Sequence, residues 1–209
     1  MRFLDRMDAA DRLAEAAGAY RGARPLVLGI PRGGVPMARR IADLLEGEVD
    51  VVLVRKIGAP GEPEFAIGAV DESGQVRLNP AAKSLPMPDR YVRETADRER
   101  ETIRQRRAEY TKHRAPIDPS GRTVLVVDDG LATGATMIAA LRSLRARHPA
   151  RLVCVVPVAP PDTLAAVRRE CDDVVCLLVP PGFRAVGQYY ANFDQVSDAA
   201  VIAALDAAS

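Results

Sequence analysis

Apolar residues along this chain follow two rhythms, a helical one and a short, unbroken one, and the two alternate for most of its length. Residues 8–18 carry Ala and Leu at helical spacing and predict an amphipathic helix. Pro25 to Ile30, PLVLGI, is a short apolar run that predicts a strand and ends in the turn signal PRGG. Val35 to Leu45 then reads as a helix, and Val49 to Val54 as a second strand. Ile57 to Glu64, IGAPGEPE, is rich in Pro and Gly and is expected to be loop. Phe65 to Val70 and Gln75 to Leu78 flank Asp71 to Gly74 as the arms of a hairpin. Asn79 to Pro88 holds three prolines and is expected to lack regular structure.

Asp89 to Arg114 contains neither Gly nor Pro and is predicted as one long helix, with Val92, Ala96, Ile103 and Tyr110 as a narrow apolar stripe. Beyond it the order is regular: strand 123–127, helix 135–147, strand 152–158, helix 162–171 and strand 174–179. Val- and Leu-rich strands alternating with helices predict an α/β fold, a doubly wound and mainly parallel sheet flanked by helices. Ligands of such sheets sit outside the carboxyl ends of the strands. The two Gly-rich turns, PRGG and DDGLATGAT, both fall at such ends. Residues 179–198, VPPGFRAVGQYYANFDQVSD, are irregular and aromatic-rich, and are expected to pack over that edge.

Composition narrows the possibilities. At 209 residues the chain is expected to form a single domain, 1–209. A formal net charge of +1 gives no global pull toward nucleic acid or anionic membrane. The arginines of the long helix are interleaved with Glu94, Asp97, Glu99, Glu101 and Glu109, the pattern of a solvated face rather than of an RNA-binding stripe. Cys154, Cys171 and Cys176 are too few and too unevenly spaced for a disulfide framework or a zinc site. The first twenty residues lack the apolar core of a signal peptide, and no run approaches a membrane span, so a cytoplasmic protein is expected.

Candidate chemistry concentrates in Val124 to Thr136, VLVVDDGLATGAT. A strand delivers Asp128 and Asp129 to its carboxyl end. Gly130 and Gly134 let the backbone turn, and a helix begins near Ala135. Converging backbone N–H groups suit a phosphate monoester, and Thr133 and Thr136 add hydroxyls. Two carboxylates would repel that phosphate, so they are better placed to accept sugar hydroxyls or to lie near a metal. A plain strand-turn-helix with one capping aspartate would explain one acid, not the whole set. No Gly-Lys-Ser/Thr follows the glycines, and no GxGxxG pattern is present, which excludes the common nucleotide loops.

This segment resembles the signature of the type I phosphoribosyltransferase family: an apolar strand, two acids, and a loop ending in Thr-Gly and a small or hydroxyl residue. The resemblance implies a domain that transfers the ribose phosphate of 5-phosphoribosyl-1-pyrophosphate (PRPP) to a nitrogen nucleophile, a nucleobase by expectation, with release of pyrophosphate. It implies that Asp128 and Asp129 hold the ribose hydroxyls, and that Ala132, Thr133, Gly134, Ala135 and Thr136 hold the 5-phosphate. Ile30 to Gly34, IPRGG, looks like the family's pyrophosphate loop, with Arg32 supplying charge and Gly33 and Gly34 close backbone approach; a plain turn explains PRGG equally well. Arg55 and Lys56 are similar to the Arg-Lys pair of adenine-type members, and are otherwise surface charge. VGQYYANF is loosely similar to the base-binding hood of purine members, offering Val186, Tyr189, Tyr190 and Asn192, with Asn192 where an aspartate is expected.

The same resemblance implies Mg²⁺ bound mainly through PRPP rather than in a protein cage, and a homo-oligomer such as a dimer. It further implies residues 58–114 as lid loop, hairpin and charged-helix insertion, and 180–209 as a hood to which N-terminal residues could add. Ala132 departs from the hypoxanthine-guanine members, which carry an aspartate there, and an alanine cannot exchange a proton with a base. Glu62 or Glu64 is a candidate acid/base, or simply a solvated loop acid. The alternative to an enzyme is a sensor of PRPP or a nucleotide built on the same fold.

Overall fold

The computed structural model describes residues 2–79, 82 and 88–206. Five strands form the central parallel sheet: β1 (Leu26–Gly29), β2 (Glu48–Val51), β6 (Thr123–Val127), β7 (Arg151–Val158) and β8 (Asp173–Leu178), in the order β2-β1-β6-β7-β8. Chain order reverses direction between β1 and β6, and sheets of this kind bind ligands in the crevice outside the carboxyl ends of the strands at such a switch point. The turns after β1 and β6 are the two Gly-rich ones.

Alternation along each strand divides the core in two. Val27, Val49, Val51, Leu125, Val127, Val153 and Val155 face α1 (Arg6–Ala16), α2 (Gly34–Leu45) and α6 (Asp198–Asp206). Leu26, Leu28, Val124, Val126, Leu152, Cys154 and Val156 face α4 (Ala135–Arg145) and α5 (Pro161–Val167). A strand buried on both faces reads as continuous apolar sequence, and for that reason these runs show no period of two. The doubly wound parallel architecture expected from the sequence is the one observed.

A second, three-stranded antiparallel sheet follows β2: β3 (Val54–Ala59), β4 (Glu62–Asp71) and β5 (Val76–Leu78). The expected loop 57–64 is therefore corrected. Pro60 and Gly61 form a two-residue turn, with Gly61 at φ +78°, and register shifts around Gly58 absorb the irregularity. Proline and glycine marked a hairpin tip and a bulge rather than a structureless loop. The expected strand 49–54 divides as well. Val52 N–H still reaches Gly29 O, but Leu53 N–H turns to Glu72 Oε2, and Val54 opens β3.

The hairpin is anchored to both neighbouring helices. Ser143 Oγ on α4 donates to Asp71 Oδ2 at 2.8 Å. On the other side α3 (Asp89–Thr111) sends Arg100 to Gly74 O and pairs its Glu99 with Arg55. Most of residues 79–88 lie outside the described residues. Helix ends shift by a few residues from expectation, and α6, which was not anticipated, packs on α2 and α3. On the exposed side of α3 the arginines pair within the helix, Arg90 with Glu94 and Arg104 with Glu101. No helix among the described residues is long and apolar enough to cross a membrane.

Candidate functional site

The turns after β1 and β6 touch. Gly34 N–H donates to Ile30 O, and Ile30 N–H to Val127 O, so the PRGG turn folds against the end of β6. The contact is too close for side chains. A Cβ on Gly33 would stand 1.9 Å from Asp129 Oδ2, and one on Gly34 would stand 2.4 Å from Val127 O. Glycine is required here by space, since Gly33 has an ordinary helical backbone at φ −61°. Both glycines open α2, whose N-terminus carries no capping side chain. Arg32 is half-buried in this turn.

Asp128 and Asp129 lie at the mouth of the same crevice. Among the described residues the Asp128 carboxylate accepts one hydrogen bond, the backbone N–H of Asp129 at 2.9 Å. Burial raises its carboxyl well above the ordinary aspartate range, and the neighbouring Asp129 charge raises it further. Asp129 is also raised by burial, against the opposing pull of Arg6, whose Nε (2.9 Å) and Nη2 (2.8 Å) both reach Asp129 Oδ2.

Downstream the backbone opens to solvent. Ala132, Thr133, Ala135 and Thr136 are exposed, and Gly134 sits between them at φ +72°. A Cβ on Gly134 would meet Thr163 Cγ2 at 2.7 Å. Thr163 Oγ1 donates to Ala132 O at 2.7 Å, so α5 holds the turn from behind. The N-cap of α4, Gly134, has no capping side chain, and the Ala135 N–H that opens the helix donates weakly to Thr133 Oγ1 at 3.4 Å. An uncapped eleven-residue helix with its first turn facing water is a ready receptor for an anion.

The other expected residues separate. Lys56 and Arg55 are consecutive in β3 and project to opposite faces. Lys56 shares a cavity with Thr133, Ala135 and Thr136, beside the 132–136 turn. Arg55 pairs instead with Glu99 at 2.7 Å, so the structure does not bring it to the crevice. The aromatic tract divides similarly. Tyr190 is only 1% exposed, and its hydroxyl donates to Asp129 O at 2.7 Å. Its ring packs on Phe3 and Phe193, which corrects its expected role as a base-stacking ring.

Tyr189 stays half-exposed and stacks on Phe183 at 5.7 Å. Val186 closes against Gly130, where a Cβ would meet it at 2.6 Å. Asn192 is exposed, its side chain taken up by Asp194 N–H. Glu62 is exposed at the hairpin tip, and the side chain of Glu64 lies outside the described residues.

Sequence reading missed Arg6. Beyond Asp129 it donates to Asp194 O at 2.7 Å and lies over the Phe193 ring at 4.0 Å. The N-terminal segment reaches the site through backbone pairing: Phe3 N–H donates to Tyr189 O, and Ala191 and Asn192 donate to Phe3 and Leu4. One of two arginines on a short amphipathic helix gives no signal of this. Its meaning depends on residues more than a hundred positions away.

Comparison with known proteins agrees with the geometry. A family model described as a phosphoribosyl transferase domain matches residues 4–193. A Mycobacterium tuberculosis protein (strain CDC 1551 / Oshkosh), named provisionally as a phosphoribosyl transferase, is 42% identical over 99% of this chain and 47% of its own length. The chain thus spans about half the length of these curated relatives. A Thermus thermophilus protein of known crystal structure is 46% identical, with a TM-score of 0.89 over 100% of both chains. A uracil phosphoribosyltransferase of Streptomyces griseus is 41% identical over 73 residues, 35% of this chain and 33% of its own.

Proposed function

The chain belongs to the phosphoribosyl transferase domain family, and from that premise we propose that it binds PRPP in the crevice between β1 and β6 and transfers the phosphoribosyl group to a nitrogen acceptor, releasing pyrophosphate. One observation carries the reading: two under-paired carboxylates, Asp128 and Asp129, stand beside a solvent-open turn and an uncapped helix N-terminus. A structural pair of buried acids would be neutralised by donors. Here the hydroxyls of a bound ribose would be the missing partners.

In this reading the 5-phosphate rests on the backbone of residues 132–136, with Lys56 near that turn, and the diphosphate lies over Arg32, Gly33 and Gly34. The departing pyrophosphate is met by the Arg32 guanidinium and the N-terminus of α2, while positive charge gathers on the ribose near the two aspartates. The residues present fit Mg²⁺ carried on the substrate. Asp128 and Asp129 offer hard oxygen donors to such an ion. When bound, the ion offsets the charge of the diphosphate.

A nucleobase is the proposed acceptor, supported by the 73-residue likeness to a uracil phosphoribosyltransferase, with the half-exposed Phe183–Tyr189 stack as the candidate platform. The exposed tip of the β3–β4 hairpin, residues 60–62, is the candidate lid, and three free cysteines suit a reducing, cytoplasmic setting. The sensor alternative has one observation in its favour, namely that Ala132 offers no group to take a proton from the acceptor.

Pyrophosphate release from PRPP and Mg²⁺, followed across a panel of nucleobases, tests the proposal. Turnover with one of them is expected. Calorimetric PRPP binding without release under any base would establish the sensor instead.

A further inference from the structure

Beside the 132–136 turn lies a chamber that shares only Lys56, Thr133, Ala135 and Thr136 with the proposed PRPP site. It occupies about 330 Å³ between the second sheet and α4, and neither Asp128, Asp129 nor Arg32 lines it. Much of its wall is apolar, including Val54, Ala66, Val70, Ile138 and Ala139. Lys56 pairs with Ala69 and Ala69 with Arg77, so these three side chains form one row on the chamber side. The small alanine between two long cations leaves open space above it.

Arg77 also lines an adjoining cleft of about 370 Å³, together with Arg142, Arg145, Arg169 and Glu170. Two carboxylates serve these four guanidiniums, Glu170 on Arg142 and Asp172 on Arg145, which leaves the cleft positively charged. Arg77 forms no ion pair among the described residues. Its Nη2 donates to Gln75 Oε1 at 2.5 Å, while its Nε is buried without an acceptor. An unpaired buried donor of this kind is rare in folded proteins and leaves Arg77 under-partnered.

We propose that chamber and cleft form a second ligand site, which takes a small phosphate monoester with an aromatic body. The ring lies in the chamber against Val54, Val70 and Ile138, and the phosphate rests on Arg77 and Arg142 at its mouth. An arginine fork matches phosphate geometry, and four guanidiniums against two carboxylates give the cleft a net charge opposite to that of the phosphate. Thr133, Ala135 and Thr136 belong both to the chamber wall and to the proposed 5-phosphate turn. An occupant therefore alters how that turn receives PRPP, and PRPP alters the occupant's affinity by the same factor. Only this coupling rests on the PRPP reading; the site itself does not.

Phenyl phosphate, titrated calorimetrically into the full chain, is the probe. Wild-type protein is expected to bind it, Arg77→Met and Ala139→Phe to bind at least tenfold more weakly, and the Asp128→Asn/Asp129→Asn variant to bind as wild type does. Thermal melts identify any variant that misfolds, in which case the other chamber variant decides. Absence of binding to wild type, or unchanged affinity in Arg77→Met, would overturn the site. So would inorganic phosphate binding as tightly as phenyl phosphate, or loss of binding in the double-asparagine variant, which would put the probe in the PRPP crevice. Binding of phenyl phosphate with no effect on PRPP affinity would overturn the coupling. If PRPP itself fails to bind while the Arg77-dependent binding stands, the proposed transferase activity fails and the second site survives.

Discussion

Asp50 and the pair Asp128–Asp129 are acids sunk into the same central sheet, and the protein surrounds them in opposite ways. Asp50, 1% exposed, accepts from Val51 N–H, Ile117 N–H, Arg107 Nη1 and Arg114 Nη2. Arg107 in turn grips Glu72 through Nε (2.6 Å) and Nη2 (2.8 Å), and donates to Val51 O. Donors and acceptors are matched, and the cluster ties α3, β2 and the second sheet into one body. At the end of β6 the matching is incomplete: two adjacent carboxylates, one arginine, and one backbone donor for Asp128. A closed network fixes structure, whereas an open one stores affinity for something not yet present.

The comparison breaks most sharply by mutation. Arg107→Met would take its main cation from the buried Asp50 and from the half-buried Glu72, and should cost about 3–5 kcal/mol, lowering the melting temperature on the order of 10 °C. Asp128→Asn with Asp129→Asn should leave the melting temperature equal or higher, and reduce PRPP affinity in calorimetry about a hundredfold or more, the loss of two charge-assisted contacts. Equal destabilisation by both would erase the distinction. Arg6→Gln comes next. It removes the cation opposing burial at Asp129, so PRPP binding should weaken roughly tenfold, and the acid limb of its pH profile should move upward. Unaltered binding and profile would reduce Arg6 to a strut for the 193–194 segment.

A pH series sharpens the contrast further. Asp128 and Asp129 titrate higher folded than unfolded, so their contribution to stability is fullest below the ordinary value of 3.8 and is lost as pH rises through their raised values. The double-asparagine variant should therefore gain on wild type from acid toward neutral pH in denaturant melts. A difference independent of pH would mean the acids are not strained. The smallest effect is expected from Tyr190→Phe, which leaves Asp129 O without its hydroxyl donor. A loss of about 1 kcal/mol, or roughly 2–4 °C, should appear in thermal melts.

Much of this was legible in the chain. Strands and helices from Thr123 onward were readable because buried parallel strands are short apolar runs and the intervening helices carry their own period. VLVVDDGLATGAT declared its turn because two acids, two glycines and two threonines have no common structural reason to coincide. Less was legible where meaning depends on a distant partner. Pro60-Gly61 marks a turn in any context, but only pairing with β4 makes it a hairpin tip. Tyr189 and Tyr190 are chemically identical neighbours, yet one stacks half-exposed on Phe183 while the other is a buried pin beneath Asp129.

The sequence by itself determined the layered α/β architecture and the place of the acidic turn, since both follow from local periodicity and from backbone requirements that neighbouring residues satisfy. Tertiary structure alone decided which cations serve that turn. It sent Arg55 to Glu99 and turned Lys56 toward α4, because consecutive strand residues face opposite ways and the sign of that alternation is set by what packs on the sheet. It also carried Arg6 across the fold to Asp129, where backbone pairing of residues 3–4 with 189–192 holds its segment in place.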